Sequence, residues 1–570
     1  MSFPGIILAS IFLFCLTACK NPQESRGSET TSTEKKDPNQ IVQTLIRSEE
    51  TVQKITPLLK KLARDISTGQ PLPLDLPKEW RGETINREWL AASFGVLEGT
   101  FKGESFITKT KFEGALVKKD KSRIGLVSKQ KLVWETDAAD QWNLKKWIPL
   151  ELKLLKARDA LFKDVTERAI PSSYARDIAQ RSEHAEITEQ ALAEKKLIMP
   201  KREYADLPDM ESAYQYPSVS VVDYNGDGHD DFFVSARYAP SQLFRNNGDG
   251  TFEDVSIEAG LPAGNCVNFA LFADFDNDGD PDALFCRSLE PTLYFQNNKG
   301  RFENVTHNLC DLGEQHFVVS ASTADVNRDG LLDVYLTTYT PGLDVLPIWK
   351  ERYLPPDEAR QLDKLSKTAH PYFNDRGGAN ILLMNRGGGR LERAGDDLVK
   401  LWRKSYQPAW ADVDGDGDDD LYVCNDFASD SYLRNDTPQG AKDPVFVEAY
   451  EETFPHDSIA FGMGASFGDY DQDGDLDLFV SNMYSKAGNR IIGLVGDVDP
   501  RIKVAARGNF LYRNEGGTFH QVADPDSPVA QTGWSFGGQF ADFNNDGKLD
   551  LYIPSGYYSA PKSVATEVDL

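Results

Sequence analysis

The sequence predicts an all-β fold, a β-propeller, preceded by a small α+β domain. A nine-residue pattern rich in Asp and Gly recurs six times between residues 223 and 550. Each copy is followed by a short run of aromatic and β-branched residues, which is typical of a strand. In five copies an apolar run, an Asn/Gly turn and a further apolar run follow, which is typical of a hairpin. Four-stranded units that recur at intervals of 51 residues or more indicate propeller blades.

The composition limits the range of partners. The 570 residues carry a formal net charge of −27, with 40% hydrophobic and 11% aromatic residues. That apolar content is sufficient for a packed core, so a wholly disordered chain is excluded. The acid excess disfavours nucleic acid as a partner, and it disfavours binding to anionic lipid through basic patches. The six repeated segments contain 26 of the 89 Asp and Glu residues, so the negative charge is concentrated in them.

The first forty residues predict an exported protein. Residues 6–16 form an apolar run that is too short to span a bilayer and has the length of a signal-peptide core. The small residues before Cys19 resemble a bacterial lipoprotein cleavage site, so 1–18 is the predicted signal peptide and Cys19 the lipidated residue. The start of the chain lacks Lys and Arg, and an ordinary secretory signal remains the alternative. Lys20 favours the outer membrane or cell surface, with a periplasm-facing anchor left open. Residues 19–40 are polar and predict a flexible tether.

Residues 41–160 predict an α+β domain of unknown function. The first part places apolar residues at helical spacing, and the rest alternates apolar and polar residues as three or four strands do. A helix followed by a curved antiparallel sheet resembles the cystatin or NTF2-like shape. Trp134, Trp142 and Trp147 lie in the predicted strands, and we expect them to pack in the core rather than to form a ligand cage.

The repeated pattern, Asp-x-Asn/Asp-x-Asp-Gly-x-x-Asp, predicts a site for a hard dication. Ca²⁺ takes about six to eight oxygen ligands at about 2.3–2.6 Å. Side-chain oxygens at positions 1, 3, 5 and 9, with the carbonyl of position 7, can surround one ion, and Gly at position 6 permits the sharp turn. The pattern contains no thiolate or imidazole ligand set, which argues against zinc and copper, and Mg²⁺ prefers near-ideal octahedra. We therefore expect about six Ca²⁺ ions.

The predicted ligands fall into five sets of six, one residue from each loop. Position 1 is Asp223, Asp274, Asp325, Asp412, Asp469 and Asp542, and position 3 is Asn225, Asp276, Asn327, Asp414, Asp471 and Asn544. Position 5 is Asp227, Asp278, Asp329, Asp416, Asp473 and Asp546, and position 7 is His229, Asp280, Leu331, Asp418, Asp475 and Lys548. Position 9 is Asp231, Asp282, Asp333, Asp420, Asp477 and Asp550.

Two related loop types are excluded. An EF-hand would place Glu at position 12, where the first two loops have Val234 and Phe285. EF-hand and dockerin loops are also followed by helices, whereas strands are predicted here. A single Asp-Gly turn would be weak evidence, because such turns are common in hairpins. Six copies in the same register make chance negligible.

The propeller is predicted to occupy residues 161–570. Inserts at 343–378, with a short predicted helix, and at 484–508 fall between second and third strands and are expected on one face. Only twenty residues follow the last loop. Residues 161–169 match 251–259, so we expect them to complete the last blade as its outer strand. The count is six visible blades, and a degenerate seventh within 170–216 is left open.

The repeats resemble those of FG-GAP/VCBS proteins, which include the propellers of integrin α-subunits. Phe461-Gly462-Met463-Gly464-Ala465 and Phe536-Gly537-Gly538 carry the motif. The pairing of DxDxDGxxDL with LYRNNGDGTFxDV is most similar to the CRTAC-like (cartilage acidic protein) bacterial branch. The resemblance covers about residues 161–558, without the C-terminal module that such proteins often carry. It implies a Ca²⁺-stabilised extracellular binding module and no particular ligand.

No catalytic residue is assigned. The seven His form no HExxH or HxH pair, and no GxSxG, P-loop or GxGxxG follows a predicted strand. We expect a binding or adhesion module that takes a protein or glycan on the insert-bearing face and contacts membrane through its lipid anchor alone. The alternative is a carbohydrate-active hydrolase or lyase with its site at the propeller channel, since the loops would hide a catalytic Asp. A Cys266–Cys310 disulfide and free buried thiols are both left open.

Overall fold

The computed structural model describes most of the chain from residue 38 onward. The described residues are 38–75, 88–157, 162–180, 218–235, 240–261, 267–287, 291–312, 318–339, 377–395, 398–454, 459–485 and 507–555, with Trp80 and a few isolated positions. The chain divides into two compact units. The first comprises Met1–Asp164, Ser485–Ala506 and Ala565–Leu570, and the second comprises Val165–Tyr484 and Arg507–Val564. Each unit has its own hydrophobic core.

The first unit is a helix packed on a four-stranded antiparallel sheet. Helix α1 spans Pro38–Thr68, and the strands are β1 (Glu88–Lys102), β2 (Ser105–Val117), β3 (Arg123–Thr136) and β4 (Trp142–Ala157), in the order β1-β2-β3-β4. Ile55 and Leu59 of α1 are fully buried against Phe106 and Phe112 of the sheet. The predicted order of helix and strands is observed, and its likeness to cystatin or NTF2-like domains stays a prediction.

The tryptophans of this unit lie in or against its core. Trp134 is 2% exposed, and its indole N–H donates to the Thr108 hydroxyl at 3.0 Å. Trp142 and Trp147 are partly buried against the same cluster. A polar pair lies among these apolar residues, where the Gln130 amide donates to the Thr110 hydroxyl at 2.9 Å. The buried polar side chains of Thr108, Thr110, Gln130 and Trp134 thereby find hydrogen-bond partners within the sheet.

The described residues of the second unit form six antiparallel sheets, whose strands follow one another in chain order. The first three are β5 Ser218–Val222, β6 Asp231–Ser235, β7 Gln242–Asn246 and β8 Phe252–Asp254; β9 Val267–Ala273, β10 Asp282–Arg287, β11 Leu293–Asn297 and β12 Phe302–Asn304; and β13 Val318–Ala324, β14 Asp333–Thr338, β15 Ile381–Asn385 and β16 Leu391–Arg393. The others are β17 Lys404–Ala411, β18 Asp420–Asp426, β19 Ser431–Asn435 and β20 Phe446–Glu448; β21 Gly464–Gly468, β22 Asp477–Ser481, β23 Phe510–Asn514 and β24 Phe519–Gln521; and the two-stranded β25 Gln539–Ala541 and β26 Asp550–Tyr552.

Short helices link or follow these strands. They are α2 (Thr166–Ala169), α3 (Ser173–Gln180), α4 (Thr306–Leu309) and α5 (Tyr450–Thr453), with a 3-10 turn at Leu398–Lys400. Helices α4 and α5 come directly after outer strands β12 and β20. Among the described residues, no helix has both the length and the apolarity needed to cross a bilayer.

Successive sheets pack face to face through apolar clusters. Phe233 of the first sheet contacts Phe285 of the second, with ring centroids 4.9 Å apart, and similar clusters join the second to the third, the third to the fourth and the fourth to the fifth. The first strands of neighbouring sheets lie side by side from β5 to β25. All loops between first and second strands therefore lie at one end of the stack, and all connections between second and third strands lie at the other.

These sheets confirm the predicted all-β unit of four antiparallel strands. The closed ring and the number of blades stay predictions. Both predicted inserts lie almost entirely outside the described residues, and so does most of 170–216, of which 173–180 forms α3. Cys286, Cys310 and Cys424 are free thiols, so the structure forms no disulfide at Cys310, and Cys266 lies outside the described residues.

The predicted outer strand at 161–169 is wrong. Residues 162–165 lie outside any strand, and α2 begins at Thr166. The resemblance to 251–259 reflects the turn that follows an outer strand, because Val165 precedes α2 with φ −121° and ψ 7°, as Val305 precedes α4 with φ −116° and ψ 11°. Ile170 and Ala175 then pack on Phe244 of the first sheet.

Candidate metal centres

The six Asp-rich loops share one backbone conformation. Each joins the first strand of a sheet to the second, and the residues at positions 4 and 6 have positive φ in every loop. Position 6 is always Gly, with φ between 82° and 100°. A residue with a Cβ is disfavoured in this left-handed region, so glycine is needed there for the turn that wraps the loop.

The aspartates at positions 1 and 5 organise the loop backbone. In the first loop, Asp223 accepts the N–H groups of Asp227 at 3.1 Å and Gly228 at 2.9 Å, and the Asp227 carboxylate accepts the N–H of His229 at 2.9 Å. The same bonds recur in the second, third, fifth and sixth loops. The fourth loop differs only in that Gly415 replaces position 5 as a donor to Asp412. These bonds hold the carboxylates on the inside of the turn.

In the first five loops, the aspartate at position 9 is buried at the base of the loop. Asp333 is 1% exposed and accepts the N–H of Val326, at position 2, at 3.1 Å and that of Asn385 at 2.7 Å. The first, second, fourth and fifth loops repeat both bonds. In these five loops, position 9 thus ties the loop to the end of the third strand of its own sheet.

The asparagine that ends the third strand is a functional residue that the sequence analysis missed. Asn385 donates through Nδ2 to the carbonyl of Phe275, in the loop of the preceding sheet, at 2.7 Å. Asn297 and Asn435 make the equivalent bonds, at 2.8 and 2.9 Å. The sequence pattern places these residues in hairpin turns. The signal that could have distinguished them is the recurrence of Asn at one place in five repeats, which a turn alone does not require.

Burial changes the acidity of the position 9 carboxyls. It raises the pKa of Asp282 and of Asp333 to about 7 and that of Asp420 to about 6, against the opposing effect of their hydrogen bonds. Burial, with the neighbouring carboxylates, also raises the pKa of Asp276 and Asp414 at position 3. A dication among these groups would favour their ionised forms.

The donor set fits a hard dication. In three loops, oxygens of three carboxylates lie within 4.8 Å of one another, as expected for ligands that share an ion of Ca²⁺ size. These sets are Asp274, Asp276 and Asp278; Asp412, Asp414 and Asp416; and Asp469, Asp471 and Asp477. The third loop gives a different indication of a cation site. Asn327 is 2% exposed, and its buried Oδ1 accepts no hydrogen bond. An unpaired buried acceptor is costly, and a cation would satisfy it.

Position 7 has a second role in some loops. The side chain of Asp280 accepts the N–H of Lys299 at 2.8 Å, and that of Asp475 accepts the N–H of Gly516 at 3.0 Å, so both hold the hairpin turn of their own sheet.

The loops thus bring the residues predicted at positions 1, 3, 5 and 9 together, and their role as metal ligands stays a prediction. Cys19 lies outside the described residues.

A second group of buried acids lies away from the metal loops. Asp426, at the end of β18, accepts the Tyr339 hydroxyl at 2.6 Å, and burial raises its pKa to about 6. Asp430 accepts the Tyr422 hydroxyl and the N–H of Asn425, both at 2.7 Å, and burial raises its pKa to about 7. Both acids lie at the end of the sheet opposite the metal loops, where Asp430 closes the turn after β18. The sequence analysis singled out neither acid, because their burial depends on contacts between sheets.

The comparisons with known proteins address the repeats. A family model described as FG-GAP-like repeat matches residues 223–285, 274–336, 412–480 and 496–553, which together include all six loops. The chain therefore contains FG-GAP-like repeats. The comparison with curated proteins gives no match. A solved structure, Trypanosoma rangeli sialidase in complex with the inhibitor DANA, aligns at 9% identity and a TM-score of 0.23, over 64% of this chain and 45% of that one. The aligned part spans less than half the length of that chain.

Proposed function

We propose that this chain, which contains FG-GAP-like repeats, is an exported, lipid-anchored calcium-binding β-propeller that serves as a binding or adhesion module. The observation that carries the proposal is the recurrence of one oxygen-lined loop, with the same hydrogen bonds, at the same end of every sheet. Six such loops along one stack support a structural role for the metal. Calcium would be held by the side chains at positions 1, 3, 5 and 9 and would neutralise their mutual repulsion.

An exported location suits this metal chemistry. Extracellular calcium modules bind their ion at about 10⁻⁴–10⁻³ M, so they are filled only where the ion is abundant. The signal-like residues 1–18 and the cysteine at position 19 support export and lipidation, and residues 19–40 would hold the folded units clear of the membrane. The same features, with the paired DxDxDGxxDL and hairpin motifs, support the CRTAC-like branch.

The proposed binding surface is the end of the stack opposite the metal loops. Both inserts, 343–378 and 484–508, fall between second and third strands and so start and end there. Binding sites lie disproportionately on loops that a rigid scaffold positions. Calcium at one end would stiffen the sheets, and the inserts at the other end would contact a protein or glycan. No nucleic acid is proposed, because the chain is strongly acidic.

A carbohydrate-active enzyme is the second candidate, and Asp426 is the observation that favours it. This acid lies at the insert-bearing end, belongs to no metal loop, and has a pKa raised to about 6 by burial. A general acid in glycoside hydrolysis needs a raised pKa of this kind. Its bond to the Tyr339 hydroxyl also has a purely structural explanation. Hydrolysis of polysaccharides by the chain, abolished by Asp426→Asn with folding intact, would select this function.

Two measurements test the binding-module proposal. Metal analysis of the chain purified in Ca²⁺ is expected to give about six ions, and zero would overturn it. Variants that lack residues 343–378 or 484–508 are compared with the intact chain on arrays of glycans and of surface proteins. We expect the intact chain to bind a defined glycan or protein and at least one deletion variant to lose that binding while keeping its calcium. Equal binding by all three chains would contradict the assignment of the insert-bearing face.

A further inference from the structure

We propose that calcium binding is cooperative within two groups of neighbouring loops and independent between them. The loop triplet is 274–282, 325–333 and 412–420, and the loop pair is 469–477 and 542–550. The links are the side chains at position 4, which supply no metal ligand and reach into the next loop. This inference deepens the proposed function and rests on it, because it concerns how the same sites fill.

Two of the links are hydrogen bonds to the glycine at position 6 of the next loop. Asn277 donates through Nδ2 to the carbonyl of Gly330 at 3.0 Å, and Gln472 donates through Nε2 to the carbonyl of Gly547 at 2.6 Å. Position 6 lies between two predicted ligands, the carboxylate of position 5 and the carbonyl of position 7. Each link therefore restrains the part of the next loop that has to close on an ion.

The third link is an ion pair. Arg328 lies 3.4 Å from Asp418, measured from Nη1 to Oδ2, and the Asp418 side chain is only 4% exposed. Asp418 is position 7 of the fourth loop, whose backbone carbonyl is the predicted ligand. Arg328 also donates through Nη2 to the carbonyl of Thr437 at 2.9 Å. The third loop is thereby fastened to the fourth loop and to the hairpin turn of the fourth sheet.

The links stop where position 4 is glycine. Gly226 in the first loop and Gly415 in the fourth have no side chain to extend toward the next loop. Arg328 and Gln472 have φ of 55° and 64°, in the left-handed region that glycine adopts freely and such residues adopt at a cost. The contacts that these two side chains make with the next loop offset that cost. By their position 4 side chains the six loops divide into one single loop, the triplet and the pair. The first loop is joined to the second through Asn297 instead, whose Nδ2 donates to the carbonyl of Tyr224 at 2.8 Å.

Such links couple the sites thermodynamically. An ion that orders one loop fixes its position 4 side chain, and the next loop then loses less freedom when it binds its own ion. Coupling is reciprocal, and couplings between protein sites typically change affinity by about 5- to 150-fold. Chains with a partly filled triplet or pair should therefore be rarer than independent sites would give.

The test replaces the linking side chains with the glycine that the first and fourth loops already have. Asn277→Gly and Gln472→Gly preserve the left-handed backbone and every predicted ligand. Asn545→Gly is the matched control, because Asn545 occupies position 4 of the last loop with φ 57° and its side chain makes no hydrogen bond among the described residues. Native mass spectrometry of the full chain at graded free Ca²⁺ counts the chains that hold each number of ions.

We expect the wild-type chain and Asn545→Gly to show depleted intermediates. The double variant Asn277→Gly/Gln472→Gly should still reach about six ions, with its intermediates more populated and the half-saturating Ca²⁺ for the linked sites raised by at least about fivefold. If the double variant shows the same ion-number populations as the wild type, the coupling is overturned, while the proposal that the loops bind calcium is unaffected. An equal change in Asn545→Gly would overturn it too, since glycine flexibility alone would then be the cause. A wild-type chain that binds no Ca²⁺ would overturn the proposed function itself.

The ion-pair link needs a different variant. Arg328→Gly alone leaves the Asp418 carboxylate buried without its partner and can fail to fold for that reason. Arg328→Gly/Asp418→Asn removes both charges and keeps the position 7 carbonyl. We expect this double variant to uncouple the fourth loop from the third, which restores intermediates within the triplet and leaves the pair unchanged. Unchanged filling of the triplet would overturn this link.

Discussion

The aspartate at position 9 sets how the first five loops respond to pH. Asp282 and Asp333 have pKa values raised to about 7 by burial, well above the ordinary value of about 3.9. A raised pKa means that the folded state favours the protonated form. Without metal, the stabilising contribution of these groups is present below about pH 4 and is lost as the pH rises through about 7. Calcium would bind the ionised carboxylates, so the calcium affinity of these loops should rise as the pH rises.

We predict that calcium stabilises the chain progressively more as the pH rises from about 5 to about 8. The metal-free chain loses stability across this window while calcium binding strengthens, so the two effects widen the difference in melting temperature. Thermal unfolding in Ca²⁺ and after removal of metal on a chelating resin measures that difference at each pH. A difference that stays constant with pH would show that the position 9 carboxyls do not titrate in this range.

The asparagine at the end of the third strand joins neighbouring sheets. Asn385 donates through Nδ2 to the carbonyls of Phe275, in the preceding sheet, and of Leu332. We predict that Asn385→Ala lowers the free energy of unfolding by about 1–3 kcal/mol, because it leaves buried carbonyls without a donor. Denaturant unfolding at saturating Ca²⁺ measures the change.

The first sheet provides the control for this variant. The Asn246 amide donates to Asp230, in its own loop. Asn246→Ala should cost clearly less than Asn385→Ala, since the two side-chain bonds that it removes, to the Asp230 carbonyl and from the Gly248 N–H, are exposed and lie within one sheet. Equal costs would contradict a role for this asparagine in joining sheets.

At the scale of the strands, the glycines of the fifth sheet permit close packing between sheets. A Cβ built on Gly464, in β21, would lie 2.6 Å from the backbone nitrogen of Gly537 in the segment before β25. A Cβ on Gly462 would lie 2.5 Å from the carboxylate of Asp430 in the fourth sheet. The motif Phe461-Gly462-Met463-Gly464-Ala465 therefore has a physical explanation. Its two glycines lie where the fourth, fifth and sixth sheets approach one another closely.

We predict that Gly464→Ala destabilises the second unit by about 1–3 kcal/mol, as overpacked substitutions do. The control is Gly395→Ala, because Gly395 has no atom within 4 Å of its Cβ position and no positive φ. That variant should have nearly wild-type stability. Chemical denaturation at saturating Ca²⁺ measures the free energy of unfolding of the two variants. Equal values would show that the close approach at Gly464 can relax without cost.

The elements that could be predicted from sequence are those with a local signature. The metal loops fix where a first strand ends and a second begins, so the order of strands in five sheets followed from the pattern. The strand expected at 161–169 failed for a physical reason, because outer strands here are only three residues long and need a third strand as partner. Within the described residues, up to 555, the last sheet has two strands, so that partner is missing.

The residues that could not be predicted depend on contacts between elements. Nothing near Asp426 in the sequence indicates that Tyr339, 87 residues away, would cover it. The link from Asn277 to Gly330 likewise spans 53 residues and exists only because neighbouring sheets stack in register. Sequence spacing therefore located the predicted ligands within each loop, and only the packed structure could show how one loop contacts the next.

At the scale of the whole molecule, the two units differ in their expected dependence on calcium. All six metal loops lie in the second unit, whereas the first unit has its own core of Ile55, Leu59, Phe106 and Phe112. An ion at about a hundredfold above its dissociation constant adds about 2.7 kcal/mol to the stability of the fold that binds it. Six such sites would contribute about as much as the whole stability of an ordinary domain, about 5–15 kcal/mol.

We therefore predict that chelation unfolds, or brings close to unfolding, the second unit and leaves the first unit folded. Differential scanning calorimetry in excess Ca²⁺ and in excess EGTA is expected to show one transition that shifts strongly downward and one that stays in place. Mg²⁺ at the same concentration is the control, and it should restore little, because it prefers octahedral sites that retain several waters. If neither transition shifts when calcium is chelated, calcium does not stabilise the second unit. The carboxylates of the loops would then need another counter-charge.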